Sequence, residues 1–187
     1  MKYLKYFESK KIESEILSEE SEFFYIDKMK DNMSGWKIHI FGNTIEDSIE
    51  IFTSLKDIIK DYNLCMKVAS KSGIQKWIGK VGNKDYGKCA TIYLPASVFV
   101  NYNLELLLND IDNALSNYKK VGDKISGDKK INSKIFYRYE LSKPIDPTIG
   151  IDDDEYQKLY QGNRGYYNIK GNPDPFEDHV LWERKLN

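Results

Sequence analysis

Cysteine, proline and arginine are scarce in this chain, and long apolar runs are missing. Two cysteines, Cys65 and Cys89, in 187 residues cannot make a disulfide framework. Such usage suits a reducing cytoplasm. No stretch approaches the ~20 apolar residues of a membrane span, and the opening MKYLKYFESKK is too charged and aromatic for a signal peptide. Twenty-eight basic residues against 29 acidic ones leave a net charge of -1, so no global field draws the chain toward nucleic acid. The two histidines are scattered from the two cysteines, which excludes zinc-ligand spacing. The acidic run at 152–155 lacks the glycine and closing glutamate of a calcium loop. Neither a G-x-S-x-G elbow nor the kinase signatures occur.

What is present is enough for one packed domain. Hydrophobic residues make up 41% and charged residues 30%, which allows a core and excludes wholesale disorder. Lysine outnumbers arginine heavily, so a single lysine says little. The three arginines, Arg138, Arg164 and Arg184, say more, because the guanidinium fork is suited to gripping anions.

Periodicity predicts mixed architecture. An acidic amphipathic helix at roughly 9–20 leads into the aromatic segment Phe23-Phe24-Tyr25. WKIHIF then alternates, with Trp36, Ile38 and Ile40 on one side and Lys37, His39 and Phe41 on the other. Thr44 with Asp47 three residues on forms a near capping box. The helix it opens carries Ile45, Ile49, Phe52, Leu55, Ile58 and Ile59 to about Asp61. A strand at 63–69 places Leu64, Met66 and Val68 opposite Cys65, Lys67 and Ala69. Ser70 or Ser72 caps a short helix to about Lys80, and the glycine-rich cationic loop GKVGNKDYGK runs into the strand CATIYLP. A helix at 103–119, capped by Asn103, and a basic loop at 120–134 precede the strand IFYRYEL. Beyond Pro144 the pattern dissolves into prolines, the acidic run and GNRGYYNIKGNPDPF, read as loops and short strands. Alternating strands and helices alone would suggest a parallel sheet. The two ends break that rhythm, and the fold class expected is α+β, a mixed sheet flanked by helices in a single domain. Within it, 1–34 is a packed lead-in, 35–145 the core and 146–187 a loop-rich extension.

A few side chains stand out. Lys37 and His39 are two apart on a strand, hence on one face with Cα atoms about 6.6–7 Å apart. Burying both in a dry core would cost several kcal/mol, so that face lines either the wet side of an edge strand or a polar site. Lys67 lies on the polar side of LCMKVA. It is either a snorkelling surface lysine or, if partly buried among cations, a lysine whose pKa drops toward that of a base. The loop at 79–88 lacks the order G-x-x-x-x-G-K-[ST], so it is no nucleotide P-loop, although its cations and amides can hold phosphate. Arg138, inside a strand, needs an anion, which Glu140 on the same face or a ligand can supply.

In order, GWKIHIF, the strand carrying Lys67, Tyr86-Gly-Lys88 before TIYLP, and FYRYE resemble the phosphothreonine lyase family. That family includes effector lyases of the OspF and SpvC type and the N-terminal lyase domains of class III and class IV lanthipeptide synthetases. With the late DPF, the flavour is nearest the class III synthetase domain. The likeness covers roughly residues 30–145, and the tail through Phe176 more loosely. It implies β-elimination of phosphate from phosphoserine or phosphothreonine in a precursor peptide, leaving dehydroalanine or dehydrobutyrine, without a cofactor. By position, Lys67 would be the base, His39 the acid that protonates the departing phosphate, and Lys37 the stabiliser of enolate-like charge. Arg138 and Lys88 would bind phosphate, with Lys80 or Lys84 as further cations and Tyr86 as an aromatic neighbour. Between Lys67 and Lys88 the chain has lysines where the synthetases often have an arginine. Full synthetases of that class continue into kinase and cyclase domains. The chain therefore reads as an excised lyase domain, with LWERKLN near the junction, or as a lyase served by a separate kinase. Two other functions fit the same residues: a non-catalytic phosphopeptide or leader-peptide binder, and a phosphothreonine lyase effector directed at host kinases. An interaction domain with solvated strand faces is the reading furthest from these.

Overall fold

The computed structural model describes residues 14–26, 35–94 and 104–140. Asn103, the segment 141–187 with its acidic run and DPF, and with them Arg164, His179 and Arg184, lie outside the described residues.

The elements run β1 (Phe23–Ile26), β2 (Gly35–Phe41), α1 (Ile45–Asp61), β3 (Cys65–Ala69), α2 (Lys71–Gly73, continued by a π-helical turn Ile74–Ile78), β4 (Lys88–Leu94), α3 (Leu104–Ala114), β5 (Lys129–Lys130) and β6 (Ile135–Glu140). The six strands make one sheet in the order β1-β3-β4-β2-β6-β5, antiparallel at every ladder. The expected α+β class holds. The parallel rhythm in the sequence has a real source: β2 and β3, joined through α1, point the same way, but β4 is inserted between them and runs against both. The result is a split βαβ unit.

Local chemistry sets the element ends. The Thr44 hydroxyl accepts from Asp47 N at 3.2 Å, and the Asp47 carboxylate accepts from Thr44 N at 2.9 Å and Asn43 N at 2.8 Å. This is the reciprocal capping box the sequence predicts. At the other end Asn63 adopts a left-handed φ of 50°, a conformation asparagine tolerates. Leu64 N there bonds Ile59 O at 2.8 Å and closes the helix. Ser70, rather than Ser72, caps α2, accepting from Gly73 N. Helix α3 ends at Ala114, earlier than its periodicity suggests, yet Leu115 and Tyr118 stay in the core beside it.

Both long helices cover one face of the sheet. Ile51, Phe52, Leu55 and Ile59 of α1 and Leu107, Leu108 and Ile111 of α3 pack on Ile38, Ile40, Met66, Val68, Ile92, Ile135 and Tyr137. A separate small cluster of Phe41, Ile125 and Phe136, with Tyr86 against it, forms on the opposite face. The lead-in contributes more than packing, because its aromatic segment is the sheet's edge strand β1. Among the described residues no helix is long and apolar enough to cross a membrane.

Candidate active site

Strand alternation gives the second face a different content. Direct register partners in an antiparallel sheet share a face, with Cβ atoms about 4.5–5.5 Å apart. One row across the sheet reads Tyr25, Lys67, Thr91, His39, Phe136. The next row reads Cys65, Tyr93, Lys37, Arg138. At the end of β2 the register slips between Ile40 and Phe41. That bulge brings Lys88 opposite Phe41, on the side of His39 away from Lys37.

Lys37, His39, Lys67, Lys88 and Arg138, five residues spread over a hundred positions of sequence, therefore share one face. Four of them are also enclosed: Lys37 is 4%, His39 2%, Lys88 6% and Arg138 8% exposed. The edge-strand alternative for Lys37 and His39 is thereby overturned, because β2 is an inner strand between β4 and β6. Lys67 is half-buried, with Nζ 4.1 Å from the Phe23 ring centroid. Lys37 Nζ lies 5.1 Å from the Tyr93 ring centroid. Both geometries suit an ammonium held over an aromatic face.

A fully buried carboxylate that sequence reading missed organises the centre. Nδ1 of His39 donates to Oδ2 of Asp128 at 2.6 Å, and Oδ1 of the same carboxylate faces Arg138 Nε at 3.8 Å. Because a carboxylate accepts only, this contact fixes the hydrogen on Nδ1 and leaves Nε2 as the ring atom that takes up or delivers a proton. Asp128 sits after Gly127, whose φ of 78° turns the loop back toward β5. The only signal in the sequence is one acid inside a lysine-rich loop, KISGDKK. Among the described residues Asp128 is a carboxylate that faces Arg138; the side chain of Glu140, which the sequence offered beside a ligand as its partner, lies outside them.

Burial lowers the His39 pKa to about 4. The Asp128 charge and hydrogen bond oppose that shift, while Arg138 and Lys88 reinforce it. In the free protein the imidazole is therefore neutral at pH 7. Burial, and after it Arg138, also lowers the Lys88 pKa, against Asp128 and Asp85. Lys88 Nζ bonds Asp85 Oδ1 at 3.0 Å. Burial alone would raise the Asp85 carboxyl, but Lys88, Lys84 and Arg138 hold it below its ordinary value. The loop predicted to hold phosphate thus divides. Lys88 is drawn into the face, Lys84 is exposed and acts on Asp85 through its charge, and Lys80 is exposed at the loop's start. Tyr86 packs edge-on against Phe41 and accepts through its hydroxyl from Asn43 Nδ2 at 2.9 Å. It buttresses the wall beside Lys88. Among the described residues no group of His, Cys, Asp and Glu is placed to hold a metal ion.

Lys88 and Arg138 thus gather positive charge beside the His39 imidazole, and the strands that carry Lys67 and His39 lie two apart, about 10 Å of sheet. No protein-family model and no curated protein matches the chain. Among solved structures, the type III effector and phosphothreonine lyase OspF from Shigella flexneri is similar over 75% of this chain and 73% of that one, at 16% identity and a TM-score of 0.45.

Proposed function

We propose that the chain is a phosphoserine/phosphothreonine lyase. The observation that carries the reading is the register row that sets Lys67 and His39 on either side of Thr91, with the cations Arg138 and Lys88 beside the imidazole. Lys67, in its uncharged form, removes the α-proton of a phosphorylated residue. The C–H electron pair becomes the Cα=Cβ bond, the Cβ–O bond breaks, and the phosphate leaves with that bond's electrons. Lys37 stabilises the enolate-like charge that gathers on the substrate carbonyl. Arg138 and Lys88 hold the phosphoryl oxygens.

His39 enters neutral. A phosphate dianion beside it favours the imidazolium, so substrate and proton arrive together, and Nε2 passes its proton to the leaving group. Asp128 keeps the ring oriented through Nδ1. Each positioned proton transfer contributes about 10²–10⁴-fold, and fixed cations at the developing charges contribute further.

The substrate we assign is a precursor peptide phosphorylated by a kinase, in the same longer chain or separate, during cytoplasmic lanthipeptide biosynthesis. The motif order from GWKIH through TIYLP and YRYE to DPF supports that choice over a host-kinase target. Mass spectrometry of a synthetic phosphoserine peptide, incubated with the protein without metal or nucleotide, tests the activity. Loss of one phosphoric acid with formation of dehydroalanine is expected. Binding without any mass change would make the face a phosphopeptide-binding module instead.

A further inference from the structure

The row that joins the proposed base to the proposed acid contains one residue between them. Thr91 on β4 is in direct register with Lys67 on one side and His39 on the other, and is 4% exposed. Its Cβ is therefore about 5 Å from the Cβ of each. In a β-elimination the carbon that loses its proton and the carbon that loses phosphate are bonded to each other. If Lys67 takes the first proton and His39 serves the leaving oxygen, the Cα–Cβ bond must lie over the side chain midway between them.

We propose that Thr91 forms the floor under that bond and sets how well the site accepts a methyl group on the substrate's β-carbon, that is, phosphothreonine against phosphoserine. The inference rests on the lyase reading and deepens it. Threonine is β-branched and stiff at χ1, and its neighbours on both sides are long side chains of inner strands. Its bulk therefore has little freedom to yield. A single methyl group in a fitted pocket is worth about 10–200-fold in discrimination, which makes one residue sufficient for this choice.

The test is a competition in one tube between otherwise identical phosphoserine and phosphothreonine peptides, read by mass spectrometry as the ratio of their kcat/KM values. That ratio does not depend on how much of a variant is folded. Thr91→Ala is expected to raise the phosphothreonine to phosphoserine ratio about tenfold, and Thr91→Ile to lower it by a similar factor. Thr91→Val, which keeps the shape, should leave it within about twofold. If Thr91→Ala does not accumulate, Thr91→Ser, lacking the same methyl, takes its place with the same expected direction. A wild-type protein that processes both peptides, with variants whose ratio stays within twofold, overturns the role of Thr91 and leaves the lyase standing. So does a ratio moved by Thr91→Val and unmoved by Thr91→Ser. A wild-type protein that changes the mass of neither peptide overturns the lyase reading, and this inference with it.

Discussion

The two faces of the sheet are made by the same strands and obey different physics. On the helix side Ile38, Ile40, Met66, Val68 and Ile92 meet α1 and α3 and are completely buried. Burial there is favourable by about 1.5–3 kcal/mol for each large aliphatic side chain. On the other side their immediate neighbours Lys37, His39, Thr91 and Arg138 are nearly as enclosed. Burying those groups costs free energy unless charges and hydrogen bonds offset it. The first face is where stability is made, and the second is where it is given up. Strand geometry permits both within one segment, because consecutive side chains point oppositely.

The sharpest break of this comparison comes at Lys67. Lys67→Ala, and equally Lys67→Arg, whose guanidinium cannot act as the base, are expected to cut dehydration of a phosphoserine peptide by about 10³-fold or more. The unfolding midpoint should move little, since Lys67 is only half-buried. A fully active Lys67→Ala protein would remove the base assignment. One row away and on the opposite face, Ile92→Ala should reverse that pattern. It leaves a cavity under α1 and α3 and should cost about 3 kcal/mol in denaturant unfolding, while the folded fraction retains normal kcat.

Much of this arrangement was legible in the sequence, and the limit of legibility has a physical cause. Alternation in GWKIHIF separated Lys37 and His39 from Ile38 and Ile40. The spacing of Thr44 and Asp47 announced α1, and the LCMKVA pattern placed Lys67 opposite Met66 and Val68. All of these are properties of neighbours along the chain. The position of β2 inside the sheet depends on which strands pair with it, and pairing is set by contacts remote in sequence. Asp128 makes the same point. It lies 89 residues from His39, in a loop whose composition reads as solvated, and it is buried because the imidazole and Arg138 are brought to it by β2 and β6. Lys80 and Lys84 show the converse: cationic loop residues suggested a phosphate seat, yet only Lys88, the first residue of β4, has its direction set by a strand.

The His39–Asp128 pair offers a pH-dependent version of the comparison. The folded-state pKa of His39, about 4, lies below the ordinary imidazole value of 6.5. The unfolded chain therefore takes up the proton first as pH falls. The associated stability is present above pH 6.5 and is lost progressively as pH drops toward 4, by up to about 3 kcal/mol. Denaturant midpoints across that window should fall in the wild type, and fall less in His39→Gln. Inorganic phosphate should raise the His39 pKa in an NMR titration. Asp128→Asn should slow elimination about 10²-fold and lower that pKa further, because the carboxylate that favours the imidazolium is gone. A His39 signal that titrates at 6.5 with or without phosphate would contradict the electrostatic account.

The smallest effect gives the finest discrimination, because it compares two adjacent phenylalanines of one short strand. Phe23 turns its ring to Lys67 Nζ at 4.1 Å, while Phe24 turns the other way and meets Phe52 of α1 edge-on at 5.3 Å between centroids. Leucine at either position keeps apolar bulk and removes the ring. Phe23→Leu loses an ammonium–ring contact of about 0.5–1 kcal/mol. It should shift the pH–rate profile toward lower pH, since the ring favours the protonated amine over the uncharged form that acts as base, with little change in unfolding. Phe24→Leu loses an aromatic pair of about 0.5–1.5 kcal/mol and should lower the unfolding midpoint while kcat and its pH profile stay put. If the two variants behaved alike, β1 would be serving only as an edge that closes the sheet, and the functional face would begin at β3.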